Sequence, residues 1–232
     1  MPLTPHPWNW KQPLQELPPA PDAPFVRLGL AGIPPDAALL ASLRAHLSTD
    51  EHARLARLQR TGDQHRFLIG RALLREVLGA HLKQPPASLV FRAGPAGKPF
   101  IVTPPGTAPL HFNLSHSGNL VLVAFSATHE VGIDVERLDP STDCAAVAER
   151  IFPPDDYRAW SSLPPAGQLP AFFQLWTRHE ARLKALGHGL AESPDDASIA
   201  ALPCIDLTLP SGYAGAVAFR APPPPTIINP QS

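Results

Sequence analysis

Residues Glu130–Leu138 read EVGIDVERL. Val131, Ile133 and Val135 recur every second residue, the period of a β-strand, so Gly132, Asp134 and Glu136 fall on the opposite face. Two carboxylates then share one side of a strand, their Cα atoms roughly 6–7 Å apart at the usual rise. At that spacing the side chains can converge on one small cation or repel each other. Two solvated carboxylates on the outer face of a half-buried strand would give the same pattern, and only the rest of the chain can choose between these readings.

Upstream, the apolar runs SLVF (88–91), HFNLSHS (111–117) and NLVLVAFS (119–126) also read as strands, with turns at Ser117–Gly118 and Thr128–His129 taken as hairpin connections. Further upstream, Ser48 is followed three residues on by Glu51, a capping box opening a helix in LSTDEHARLARLQ. A longer helix follows in GDQHRFLIGRALLREVLGAHL. Downstream come short helices near 143–151 and 154–161, then a strong helix in QLPAFFQLWTRHEARLKALGHG with Gly187 and Gly189 as its stop signals. CIDLTL and GYAGAVAF close the chain as strands. The segments FLIGRALLREVLG (67–79) and LWTRHEARLKALG (175–187) resemble each other, and each precedes strands. Two amphipathic helices can look alike without any repeat; read as a repeat, the likeness gives the expected α+β (α/β) protein of two pseudo-symmetric subdomains, with a cleft between them as the ligand site. The expected division is a Pro-rich segment 1–24, subdomains 25–110 and 111–221, and a Pro-rich tail 222–232. The 31 prolines cluster so as to punctuate the elements, and both ends are expected to be loosely held.

The 232 residues, 44% of them hydrophobic, can bury a substantial core, and a net charge of −1 gives no global attraction for duplex nucleic acid or an anionic membrane. Any anion site must be local. Cys144 and Cys204 are far apart and lie in no CxxC or Cys/His spacing, which argues against a disulfide framework or zinc site and fits a reducing compartment. No apolar leader or membrane span is legible, so the expected location is cytoplasmic.

Local anion chemistry is present. Between residues 54 and 75 stand Arg54, Arg57, Arg60, Arg66, Arg71 and Arg75 against one acid, Asp63. Guanidinium forks suit phosphate, although Arg57, Arg60 and Arg75 also read as a solvated helix face. Gly97, Lys98 and Pro99 form a tight turn where backbone can approach a planar or anionic ligand. In NLSHSGN, Ser115, His116 and Ser117 end a strand and could hold a phosphate, or merely close a hairpin; adjacent residues point to opposite faces, which argues against a nucleophile–base pair. On the strong helix Trp176, Glu180 and Lys184 share a stripe. Glu180 and Lys184 could be an ordinary i,i+4 surface ion pair, or Glu180 could face Asp134 and Glu136 and complete an oxygen-rich site for Mg²⁺.

Taken in order, HRFLIGRALLR, GKPF, FNLSHSGNLVLVAFS, GIDVE and LWTRHEARLKALGHGL closely resemble the Sfp-type 4'-phosphopantetheinyl transferases, over about residues 47–220. The resemblance implies two pseudo-symmetric halves with coenzyme A and Mg²⁺ bound between them. It also implies transfer of the phosphopantetheine arm to a serine of an apo acyl or peptidyl carrier protein, with release of adenosine 3',5'-bisphosphate. By match to the family's motifs Asp134, Glu136 and Glu180 are the metal ligands, Glu180 doubles as general base, and Lys184 contacts a coenzyme A phosphate. Arg54, Arg66 and His116 match positions that hold the 3'-phosphate; Gly97, Lys98 and Pro99 match the adenine-side turn, and Ser115 is a weaker phosphate contact. A monomer is implied.

Two positions depart from the pattern. His179 stands where a lysine commonly precedes the catalytic glutamate, and Glu51 replaces a basic residue sometimes found early in the first helix, leaving phosphate binding to lean on Arg54 and Arg66. The alternatives are a metal-dependent nuclease or phosphodiesterase, which ought to carry a broad basic track that this chain lacks, and a catalytically silent carrier-binding module, against which the intact Asp134, Glu136, Glu180 and Lys184 argue.

Overall fold

A computed structural model describes residues 6–7, 25–30, 37–94, 97–103, 107, 109–187 and 199–220. Most of the Pro-rich N-terminal segment, all of the Pro-rich tail and the proposed stop at Gly189 lie outside the described residues. The elements, in order, begin with strands β1 (His6–Pro7) and β2 (Phe25–Leu30) and helices α1 (Ala37–Arg44), α2 (Thr49–Arg57) and α3 (Thr61–Leu82). Short strands β3 (Phe91–Ala93) and β4 (Pro99–Ile101) follow, then β5 (His111–Ser117), β6 (Leu120–Ser126) and β7 (Glu130–Arg137). Helices α4 (Cys144–Ile151), α5 (Pro154–Ser161) and α6 (Pro165–Leu186) precede β8 (Cys204–Asp206) and β9 (Tyr213–Arg220).

The protein is α+β, and one order of elements occurs twice. From β2 through β6, and again from β7 through β9, a strand is followed by two short helices, a 22-residue helix and a closing antiparallel pair, with the small β3–β4 sheet inserted before the pair in the first case. In both sheets the last strand lies in the middle: β1-β2-β6-β5 in the first and β7-β9-β8 in the second. These sheets divide the chain differently from the expected boundary at 110/111, because β6 pairs with β2 and β5 with β6, so both belong to the first sheet. The helical resemblance that suggested a repeat is also out of register. Gly79 sits inside α3, whereas Gly187 caps α6 in a left-handed conformation, with φ 77°.

β6 explains how the halves join. All seven of its residues are buried. Val121, Val123 and Phe125 face the core beneath α3, while Leu120, Leu122 and Ala124 pack with Val131, Ile133 and Val135 of β7. The continuous apolar run is therefore a strand covered on both faces.

Several local expectations need correction. The β5–β6 hairpin turns at Gly118–Asn119, one residue later than expected, because Ser117 pairs with Leu120; Gly118 supplies the positive φ of 53°. Thr128–His129 is no hairpin: β6 and β7 belong to different sheets, and Ser126 Oγ accepts the N–H groups of Thr128 and His129 to turn the chain between them. The strand in SLVF begins only at Phe91, since Pro86–Ser88 winds into a 3₁₀ turn. Strand β8 is half the expected length. Prolines do enter elements, Pro170 lying inside α6. Strands β2 and β4 and helix α1 were not foreseen, and β1 draws His6–Pro7 of the Pro-rich segment into a parallel pair with Arg27–Leu28.

Candidate functional site

β7 is buried on both sides, which corrects the half-buried expectation. Its even-numbered face lies against α6, and glycine at 132 is the reason the helix can come so close. A Cβ there would land on the main-chain oxygen of Ala181 and nitrogen of Ala185, and 2.8 Å from the Lys184 carbonyl carbon. Ala181 and Ala185 on the helix meet Ala216 and Ala218 of β9 across the same contact. This small-residue seam brings Glu180 and Lys184 against the face that carries Asp134 and Glu136.

Asp134 is 3% exposed and Glu180 8%. Lys184 Nζ donates to Asp134 Oδ1 at 2.6 Å, so the lysine serves the strand carboxylate and the simple i,i+4 surface pair is not what forms. Ser115 Oγ also donates to Asp134 Oδ1, at 3.0 Å, and Ser117 Oγ to Glu136 Oε2, at 2.7 Å. Asp134 Oδ2 and Glu180 Oε1 are buried without a hydrogen-bond partner. Burial pushes the Asp134 carboxyl up against the opposing pull of Lys184 and Ser115. Burial, then the neighbouring Asp134, raises Glu180. Glu136 is raised by burial and by Asp134 against the Ser117 hydrogen bond. Carboxylates so placed are short of positive charge.

Among the described residues no three His, Cys, Asp or Glu side chains stand ready-closed around a metal position. The donor chemistry nonetheless fits a hard divalent cation: two buried carboxylate oxygens lack partners, and a third carboxylate lies on the same strand face.

The basic cleft lies on the other face of β5. Arg54, Arg66 and His116 line one cavity of about 330 Å³ with Asp63, Arg71 and Phe67. The Arg54 guanidinium sits over the Phe67 ring, 5.3 Å from its centroid. Arg66 pairs with Asp63 and reaches the Gly118 carbonyl. Desolvation, with Arg66 and Lys184 nearby, holds the solvent-facing His116 imidazole below its usual range.

Other expected residues serve different ends. Arg75 is not on a solvated face: it is 2% exposed, its Nε donates to Glu51 Oε2 at 2.6 Å, and its Nη1 donates to the carbonyls of Pro86 and Leu89. Arg71 binds the other oxygen of Glu51. Glu51 completes the capping box with Ser48 as expected, and also neutralises two arginines. The excess charge counted along the sequence is thus partly cancelled in space. Lys98 is engaged too, donating to Glu130 Oε2 at 2.9 Å and to the Val131 carbonyl at 3.0 Å. Gly97 holds that turn with φ 80°. Ser115, 7% exposed, donates its hydroxyl proton to Asp134. His179 stacks on Trp176 at 6.5 Å. The polar alternation Asn113, Ser115, Ser117 was the overlooked signal: a period-two polar face on a strand has to meet something.

The buried carboxylates, with a lysine among them, and the arginine-lined cleft thus lie on opposite faces of β5. A family model for the N-terminal part of 4'-phosphopantetheinyl transferases matches residues 34–128, and one for the 4'-phosphopantetheinyl transferase superfamily matches residues 130–214. The 4'-phosphopantetheinyl transferase HetI of Nostoc sp. is 41% identical over 153 residues, 66% of this chain and 65% of that protein. A 4'-phosphopantetheinyl transferase of Bacillus subtilis is 32% identical over 157 residues, 68% of this chain and 67% of its own length. Sfp of Bacillus subtilis strain 168 is 30% identical over 153 residues, 66% of each chain. The chain belongs to the 4'-phosphopantetheinyl transferase superfamily. It spans just under two thirds of HetI and of a putative transferase of Synechocystis, at 65% and 64%. Among the described residues no helix is long and apolar enough to cross a membrane.

Proposed function

We propose that the protein transfers the 4'-phosphopantetheine arm of coenzyme A to a serine of an apo acyl or peptidyl carrier protein. The observation that carries this is the meeting of Asp134, Glu136, Glu180 and Lys184 along the β7–α6 contact, beside a cleft lined by Arg54, Arg66 and His116. In this reading the cleft takes the 3'-phosphate, where the Arg54 and Arg66 charges match its oxygens. His116, held toward its neutral form in the free protein, gains a proton more readily once the dianion arrives. Asp134, Glu136 and Glu180 would hold Mg²⁺, which when bound would offset the charge of the pyrophosphate.

Glu180 accepts the proton of the carrier serine. Burial and the neighbouring Asp134 raise its pKa, which makes it a better base than an ordinary carboxylate. The serine oxygen forms a bond to the phosphorus bearing the pantetheine arm as that phosphorus parts from the oxygen of the 5'-phosphate. Adenosine 3',5'-bisphosphate leaves with the electron pair, and Lys184 meets charge on the phosphates. The Gly97–Pro99 turn borders the adenine side, with Lys98 fastened to Glu130 and so shaping the turn. The partners are coenzyme A and the carrier protein, without nucleic acid or membrane; the protein works as a cytoplasmic monomer. Incubating candidate apo carrier proteins with the enzyme, coenzyme A and Mg²⁺ should add the phosphopantetheine mass by intact-mass spectrometry. No mass gain on any acyl or peptidyl carrier, under conditions where coenzyme A binds, would overturn the assignment.

A further inference from the structure

β5 and β7 run side by side without exchanging backbone hydrogen bonds, for they belong to different sheets. What joins them is a ladder of side chains. Asn113 Oδ1 accepts the N–H of Ile133 at 3.0 Å, Ser115 Oγ that of Val135 at 3.3 Å and Ser117 Oγ that of Arg137 at 3.0 Å. All three rungs have the same offset of 20 residues, so the two strands are parallel and in fixed register. A slip of one residue would put Phe112, Leu114 or His116 where an acceptor is needed.

Two of the rungs do more than join. A serine hydroxyl whose lone pair takes a main-chain N–H still has one proton to give. Ser115 gives it to Asp134 and Ser117 to Glu136, each to the residue just before its rung partner. The Asn113 rung has no carboxylate to hold, because residue 132 must be glycine to admit α6.

We infer that Ser117 is a positioning residue: its hydroxyl fixes the orientation of the Glu136 carboxylate and ties it to the register between the halves. It thereby couples the strand that walls the nucleotide cleft to the strand that presents the carboxylates. The proposal rests on the transferase reading, in which Glu136 helps hold Mg²⁺, and it goes beyond that reading by giving Ser117 a role in place of the phosphate contact or hairpin closure its sequence position suggested. Replacing a residue that orients a metal ligand typically weakens the metal about 10- to 100-fold.

The test is coenzyme A affinity by calorimetry, once with Mg²⁺ and once with EDTA, because the ratio of the two reads the carboxylates while the EDTA value reads the cleft. Ser117→Ala should reduce that ratio by about 10-fold or more, with the EDTA affinity unchanged. Ser117→Thr, which keeps the hydroxyl, should retain the wild-type ratio. Ser117→Cys, close in size but a poor hydrogen-bond partner, should behave like the alanine variant and stands in for it if Ser117→Ala does not fold. A wild-type ratio in the alanine or cysteine variant, a parallel loss in EDTA, or failure of threonine to restore the ratio would each overturn the positioning role and leave the transferase reading standing. A ratio of one in the unmodified protein would instead remove the metal reading itself, and the inference with it.

Discussion

Glu180 is asked to do two things, hold a cation and take a proton, and one substitution separates them. Gln keeps an oxygen donor at the same place but takes up no proton at working pH. General-base catalysis contributes about 10²–10⁴ in rate, so Glu180→Gln should slow single-turnover transfer by such a factor at saturating Mg²⁺, while calorimetry finds coenzyme A binding largely kept. Near wild-type rates at high Mg²⁺ would leave Glu180 as a ligand alone. Glu51 poses the opposite case, a carboxylate whose work is structural. Burial pushes it up, but Arg71 and Arg75 outweigh that and hold it below the usual carboxylate range. Glu51→Ala would strand the fully buried Arg75, and breaking a buried pair in this way costs roughly 3–5 kcal/mol; urea denaturation should register the loss, and a change under 1 kcal/mol would contradict it. At this scale the motif residues were legible as a set, because chemistry restricts which side chains can do the work. The partners of Arg75, Lys98 and Ser115 were not, since a residue 20 or 30 positions away decides whether a charge or hydroxyl is free.

Among the elements, α6 and β7 carry the site, and their closeness depends on Gly132. Alanine there collides with helix backbone, which cannot swing aside like a flexible side chain. Overpacking costs about 1–3 kcal/mol and occasionally more; we expect Gly132→Ala to reach about 3 kcal/mol, lowering the thermal midpoint by roughly 6–12 °C in a chain of this size. The control is Gly97→Ala, where a Cβ meets nothing within 4 Å and only the left-handed backbone, φ 80°, resists. That strain should cost only about 1–2 kcal/mol. Equal losses in the two variants would mean that the close approach of helix and strand is not what glycine 132 provides. The sequence pattern located β7 and α6 to within a few residues, because period two and period 3.6 differ sharply over such lengths. It could not tell a strand covered on one face from one covered on both: Gly132, Asp134 and Glu136 look outward-facing until α6 is laid over them.

For the whole molecule the question is what holds two similar halves in one arrangement. The repeated order of elements was only faintly legible, because the two long helices share composition more than position and their glycines play different parts. The seam between β5 and β7 has three hydrogen-bonded rungs along its length and an ionic clasp at its start. There Glu130 accepts from Lys98 at 2.9 Å and stands 2.9 Å from His111 Nδ1, tying the turn before β4 and the first residues of β5 and β7 together. The His111 hydrogen bond, with Lys98 and against the cost of burial, lowers the Glu130 pKa from 4.5 to about 2. Because the folded value lies below the unfolded one, the unfolded chain binds more protons between them, and stability rises with pH through that interval. The clasp therefore contributes fully above about pH 4.5 and is lost as pH falls toward 2. Melting temperatures of the wild type should drop through this window more steeply than those of Glu130→Gln, whose amide does not titrate, and the two profiles should run parallel above pH 5.5 or so, a unit above the unfolded value. Profiles that stay parallel down to acid pH would mean that the clasp is not ionic, and that the register between the halves rests on the side-chain rungs together with the packing of β6 on β7.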